Sequence, residues 1–318
     1  MSDSAQLDVE ATIKSFPCYA GSPSPDHVID YLGTRTRAAY VRGLKGGTIE
    51  GFPLPMNFHA TALEWAGALA AVTDAADELI AVELGAGWAP WLVSVNRAAR
   101  LRGIAKLRLM GVEGSRKHCE YMRTHFADNG LDPDEHALLH GVVAPSDGMA
   151  EFPVLEDPAV DWGTSALLPV HRAKGKRASH LRGLGRRLAN AVLKPFHPDE
   201  GLPARTERLR CYSIGTLLRP FEFVDLVHID IQGHEYVVLA AARDVLKKKV
   251  KRIVVGTHGR EIEERLFEEM STAGWLLEAE ESCLYRQLSG RMSLWRDGCQ
   301  VWRNPDLARS CGSAHAAA

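Results

Sequence analysis

The chain has 318 residues, 46% of them apolar and 25% charged, which is ordinary globular composition and long enough for one large α/β domain with additions. Its 38 Lys and Arg against 40 Asp and Glu leave a formal charge of −2, so no general attraction to nucleic acid or acidic membranes follows from charge. The opening residues are acidic where a secretory leader is basic, and the most apolar stretch, 62–95, is broken by Glu64, Asp74, Asp77, Glu78 and Glu83, which argues against a membrane-spanning helix.

Residues 1–60 are rich in Pro and Gly and read as irregular covering structure with short helices, so 1–76 is taken as an N-terminal cap. The spacing of Leu63, Ala66 and Ala70 predicts a helix over 57–76. A strand over 79–84 then stops at Gly85-Ala86-Gly87, and Pro90 opens a helix that runs to Gly103. Strand 106–112, helix 115–129 and strand 137–143 follow, ending in a turn at 145–148. Beyond an interruption at 156–210, the apolar run 223–231 suits a strand buried on both faces. Helix 234–246, strand 251–257, helix 261–273 and strand 275–279 complete the pattern. Such alternation predicts a doubly wound, mostly parallel α/β sheet over 77–310, with 311–318 as a disordered tail.

The interruption differs in composition. Between 162 and 198 it carries Arg172, Lys174, Lys176, Arg177, Arg182, Arg186, Arg187 and Lys194 with no acidic residue. It reads either as a solvated loop or as a docking patch for an anionic group. The six cysteines are scattered and include no CxxC pair, so free thiols and a cytoplasmic location are expected.

In an open α/β sheet, ligands bind outside the carboxyl ends of the strands, where strand order reverses. Gly85, Gly87, Glu113, Asp230 and His258 all collect at such ends. The loop 83–90 has the glycines of a nucleotide loop, but Pro90 occupies the place of the third glycine, which disfavours a dinucleotide pyrophosphate. Glu113, ending the second strand, suits the two hydroxyls of a ribose. An adenosine with a carboxylate in place of phosphates satisfies both features, and S-adenosylmethionine is such a ligand.

With AVELGAGW (81–88), VEGS (112–115), APSDG (144–148), SIGTLL (213–218), DLVHIDIQGHEYVVLAAA (225–242) and DGCQVWRNP (297–305), the chain resembles the FkbM-type methyltransferases of class I. The resemblance implies a seven-stranded, mostly parallel Rossmann-like sheet with S-adenosylmethionine as cofactor. It also implies that Glu83, Gly85, Ala86 and Gly87 meet the methionine end of the cofactor, Glu113 and Gly114 the ribose, and Gly141 with Val142 the adenine. Asp230 is then expected beside the transferring methyl group, on a strand next to the first one. Gln232 stands where members of the family commonly carry an acid.

A hydroxyl acceptor benefits from a base, and His258 oriented by Asp230 is the expected pair, their strand ends about 4.8 Å apart at the backbone. His234 competes for that role, whereas His228, inside a strand, reads as structural, and Glu235 reads as a complement to its helix dipole. No metal is expected, because His228, Asp230, His234, Glu235 and His258 lack a recognised ligand spacing. Asn57, His59 and Trp88 are candidate acceptor-lining residues, although Asn57 and His59 also suit a capping or packing role. The leading expectation is O-methylation of a small molecule, sugar or glycan. A non-catalytic cofactor-binding or interaction protein remains the alternative. Nucleic acid is disfavoured as a partner, since the basic run has no interleaved aromatics and no Pro-aromatic motif follows a strand.

Overall fold

The computed structural model describes residues 6–168, 205–288 and 290–308. The N-terminal part holds α1 (Val9–Lys14), β1 (His27–Ile29), β2 (Arg35–Arg37), β3 (Thr48–Ile49) and α2 (Ala62–Asp74). It is followed by β4 (Glu78–Leu84), α3 (Pro90–Leu101), β5 (Lys106–Glu113), α4 (Arg116–Asp128), β6 (Ala137–His140), β7 (Val142–Val143) and β8 (Gly148–Pro153). Next come β9 (Thr206–Tyr212), α5 (Ile214–Leu217), β10 (Val224–Ile229), α6 (Glu235–Ala241), α7 (Arg243–Lys249), β11 (Val250–Thr257) and α8 (Arg260–Thr272). The last elements are β12 (Leu276–Glu281), β13 (Leu284–Leu288), β14 (Arg291–Arg296), β15 (Gly298–Arg303) and α9 (Pro305–Ala308).

The main sheet has seven strands in the order β12-β15-β11-β10-β4-β5-β6. The pairs from β11 to β6 are parallel, and β15 runs antiparallel to both of its neighbours. Strand order therefore reverses between β4 and β10, which brings the glycine loop and Asp230 together as the doubly wound pattern requires.

Successive side chains of β4 alternate between two apolar layers. Leu79 and Ala81 join Trp65, Leu69, Leu92 and Phe126 on one face, whereas Ile80, Val82 and Leu84 join Ile214, Val238, Leu246 and Leu266 on the other. The sheet is thus covered on both faces, which explains the near-continuous apolar runs in its central strands. A capping box between Thr61 and Glu64 starts α2. Gly67 lets that helix lie close on the sheet, since a Cβ there would come within 2.8 Å of the Val254 and Val301 side chains.

Several expectations change in detail. The strand expected over 137–143 is two, because the chain leaves the main sheet after β6 and β7 pairs with β9 in a separate three-stranded sheet. The helix expected over 234–246 breaks at Ala242 into α6 and α7. The N-terminal region, expected to be irregular with short helices, holds the sheet β2-β1-β3. Arg172 to Lys194 of the basic run and the tail 311–318 lie outside the described residues. Among the described residues no helix is long and apolar enough to cross a membrane, and Cys18, Cys119, Cys211, Cys283 and Cys299 are free thiols.

A buried ion-pair network ties the antiparallel edge to the rest. Arg252 on β11 donates from Nε and Nη2 to Glu278 on β12 at 2.8 and 3.1 Å, and from Nη1 to Asp74 at the end of α2 at 2.8 Å. Glu278 also pairs with Arg303 on β15 at 2.7 Å. Removing one member strands a buried charge, whereas removing Arg252 and Glu278 together leaves behind only the more exposed Asp74 and Arg303. Arg252→Met is expected to cost about 3 kcal/mol in urea unfolding, with much of that loss recovered in the Arg252→Met/Glu278→Met double variant.

Candidate active site

The site begins where β4 and β10 end side by side. Asp230 N donates to Leu84 O at 2.9 Å, and Gly85 turns the chain with φ +77°. A Cβ on residue 85 would lie 1.7 Å from the Asp230 carbonyl oxygen, so only glycine lets the two loops touch. Gly85 N and Ala86 N both donate to Val112 O at 3.0 Å, which fastens the loop to β5. Ala89 then takes a left-handed conformation, φ 60°, immediately before Pro90, a residue that disfavours right-handed helix in its predecessor.

Two carboxylates hold this loop through backbone N–H groups. Glu113 accepts from Gly87 N at 2.8 Å and from Ser115 N at 2.6 Å, bridging the glycine loop to the end of β5. Glu83 accepts from Leu92 N at 3.0 Å and Trp91 N at 3.4 Å at the start of α3. Burial pushes the Glu83 carboxyl well above the usual range despite those bonds.

A third carboxylate organises the loop after β10. Glu235 is fully buried and accepts from Ile231 N at 3.1 Å, from Gly233 N at 3.0 Å and from His258 Nδ1 at 2.9 Å. Burial opposes its charge, but the His258 imidazolium and the backbone donors hold it below the ordinary carboxylate range. His258 Nε2 lies 3.3 Å from Asp230 Oδ1 and 3.8 Å from Asp297 Oδ2. Burial would lower the His258 pKa, yet the surrounding carboxylates of Glu235, Asp230 and Asp297 raise it to about 10. Burial, only partly offset by His258, raises Asp230 to about 6. Gln232 Nε2 donates to Asp230 Oδ1 at 2.8 Å.

These loops enclose a cavity of about 390 Å³. Glu83, Gly85, Ala86 and Gly87 form one wall, and Glu113, Gly114, Gly141 and Val142 the next. Asp230 and His234 line the same cavity. His258 is not part of the wall and stands behind Asp230, paired at both ring nitrogens with carboxylates. His234 is buried, and its Nε2 donates to Ala166 O at 3.0 Å. His59 and Trp88 line the cavity, whereas Asn57 does not and instead accepts from His59 N and Ala60 N, a local cap.

Sequence reasoning missed part of the wall. Trp162, at the edge of the basic run, stacks on His118 with centroids 3.9 Å apart and meets Trp88 edge-on at 4.6 Å. Together with His118 Nε2 donating to Pro158 O at 2.8 Å, this fastens residues 158–166 over the cavity as a roof. The charge run concealed the tryptophan at its margin. His228 also reaches the wall, with both ring nitrogens buried and without a hydrogen-bond partner, 3.7 Å from Glu64 Oε1.

Residues 150–286 match the model of the methyltransferase FkbM domain. A protein of Jannaschia sp. (strain CCS1) named "Putative methyltransferase" is 31% identical over 299 residues, spanning 93% of this chain and 98% of that protein. Among solved structures, the methyltransferase FkbM from Methylobacillus flagellatus KT is similar with a TM-score of 0.40 and 11% identity, over 71% of this chain and 44% of that one. The O-methyltransferase from Bacillus cereus in complex with SAH is similar with a TM-score of 0.39 and 11% identity, over 78% and 84%. Identity at this level along nearly the whole length of both proteins, together with the matched domain, means that the chain belongs to the FkbM methyltransferase family.

Proposed function

We propose that the protein methylates a hydroxyl group of a small molecule, sugar or glycan unit, with Asp230 receiving the acceptor proton. The observation that carries this reading is the position of Asp230, on the wall of the cavity that the glycine loop also lines and backed by His258. A carboxylate there can accept a proton from a hydroxyl as its oxygen is alkylated.

The methyl donor of the family is S-adenosylmethionine, and the residues present fit it. The glycine loop keeps Cβ atoms off the wall, and each Glu113 oxygen accepts one backbone bond and keeps a second lone pair for a ribose hydroxyl. The cavity volume lies within the ~300–1,000 Å³ common for small-molecule sites. Gly85, Ala86 and Gly87 would hold the amino-acid end, Glu113 and Gly114 the ribose, and Gly141 with Val142 the adenine. When bound, the donor supplies an already activated methyl group, so the chain's task is to position the acceptor and manage its proton.

His258 serves Asp230 as a positioning residue. Its imidazolium, fixed by Glu235 through Nδ1, stands 3.3 Å from Asp230 Oδ1. His234 holds the roof through Ala166 O, and Trp162 excludes water above the glycine loop.

Asp230→Asn is expected to lower kcat by about 100-fold or more while donor affinity changes little. Transfer of a labelled methyl group to a panel of hydroxylated acceptors, with parallel donor titration, reads both, and undiminished transfer overturns the assignment. Trp162→Ala, which opens the roof, is expected to raise the acceptor KM about tenfold with a smaller change in kcat, measured by the same assay.

A further inference from the structure

His228 is a buried polar side chain for which the proposed reaction has no use. It is 3% exposed, it lines the cavity, and neither Nδ1 nor Nε2 has a hydrogen-bond partner. An unmet buried donor or acceptor is costly, so a histidine kept only to pack against Trp91, 5.0 Å away between ring centroids, would be bettered by an apolar side chain of its size. Glu64, in the first turn of α2, stands beside it and also lines the cavity. Both hydrogen bonds that Glu64 accepts, from Thr61 N at 3.0 Å and from Thr61 Oγ1 at 3.4 Å, fall on Oε2. Its other oxygen, Oε1, lies 3.7 Å from His228 Nε2, which is beyond hydrogen-bond reach.

We propose that Glu64 and His228 form a second polar subsite of the cavity, which holds a hydroxyl group of the acceptor other than the one that is methylated. A hydroxyl oxygen ~2.9 Å from both atoms spans the 3.7 Å gap, donating to Glu64 Oε1 and accepting from Nε2–H. That pairing needs only a proton on Nε2, which neutral imidazole and imidazolium can both supply. His228 precedes Asp230 by two residues at the end of β10, so by strand period the two side chains leave the same face of the sheet, ~6.6 Å apart at the backbone. The subsite therefore adjoins the carboxyl proposed to receive the acceptor proton, and both belong to one cavity.

This inference deepens the O-methylation reading and rests on it for the reacting hydroxyl. An acceptor that reaches both Asp230 and the Glu64–His228 pair is polyhydroxylated. A sugar or a cyclic polyol meets that requirement, whereas a simple alcohol leaves one of the two places unfilled. Sites built to hydrogen-bond a hydroxyl discriminate strongly against analogues that lack it, because their buried polar groups are then left unpaired.

The test combines unfolding with methyl transfer. His228→Leu removes the unmet polar atoms at similar size, so its urea midpoint is expected to equal or exceed that of the wild type, whereas loss of a structural histidine lowers it. Transfer from S-adenosylmethionine is then compared across sugars, inositols and matched mono-alcohols. The wild type is expected to favour the polyols by about 100-fold or more in kcat/KM. His228→Leu is expected to raise the polyol KM about tenfold, with a smaller change in kcat and no change for the mono-alcohols. Glu64→Gln, which keeps a capping-box residue at the start of α2, is expected to shift KM in the same direction and carries the test should His228→Leu fail to fold. A lowered midpoint in His228→Leu, an unchanged polyol KM in the variants, or weakened donor affinity in calorimetric titration of either one overturns the subsite. A protein that methylates polyols and mono-alcohols alike refutes only this inference, whereas one that methylates neither refutes the O-methylation reading and the subsite with it.

Discussion

The site depends on one contact that leaves no room for a side chain: the close approach of Gly85 to the carbonyl of Asp230. The two residues cap neighbouring parallel strands, and strand twist and pairing bring their backbones together before any ligand arrives. Everything proposed for donor binding lies on the β4 side of that contact, and everything proposed for proton handling lies on the β10 side. Any Cβ at residue 85 would drive the loops apart and misplace both halves at once, and misplacement by ~1 Å can cost ~100-fold in rate.

Around this contact, negative charge does structural work before it does chemistry. Glu83, Glu113 and Glu235 each spend their oxygens on backbone N–H groups at the starts of helices or in tight loops. The bonds to Glu235, whose charge His258 favours, are stronger than neutral ones, and all three carboxyls fix the loops without any contribution from a ligand. Asp230 differs in accepting from a side-chain amide and standing next to His258, at the cavity wall. A site whose loops are already held in place needs little reorganisation when charge develops.

Much of this was legible in the sequence because it is local. Strand-to-loop punctuation marks β4, β5, β10 and β11, and the glycines and Glu113 point to the end of the sheet where the cavity lies. What escaped was non-local. Glu235 looked like an ordinary first-turn acid, and its pairing with His258 appears only when α6 and the end of β11 are brought together. β15, with Gln300 buried between Trp302 Nε1 and Glu263 O, lacks a simple apolar alternation, and β8 pairs with β9 across the long interruption. Trp162 lay at the margin of a basic run whose charges dominated the reading. His258 lies beside Asp230, and its second carboxylate, Glu235, is the reason a positioning role is proposed for it here in place of the base that the sequence suggests.

In the reading proposed above, the glycine loop and Glu113 bind an adenosyl donor that has no pyrophosphate. Calorimetric titration with S-adenosylmethionine and, separately, NAD, in the wild type and in Glu113→Ala, tests it most directly. Saturable binding of S-adenosylmethionine alone is expected, weakened about tenfold or more in the variant, since a good hydrogen-bonded pair to a charged group is worth ~1.5–3 kcal/mol. Binding of NAD with comparable affinity, or donor affinity indifferent to Glu113→Ala, would contradict it.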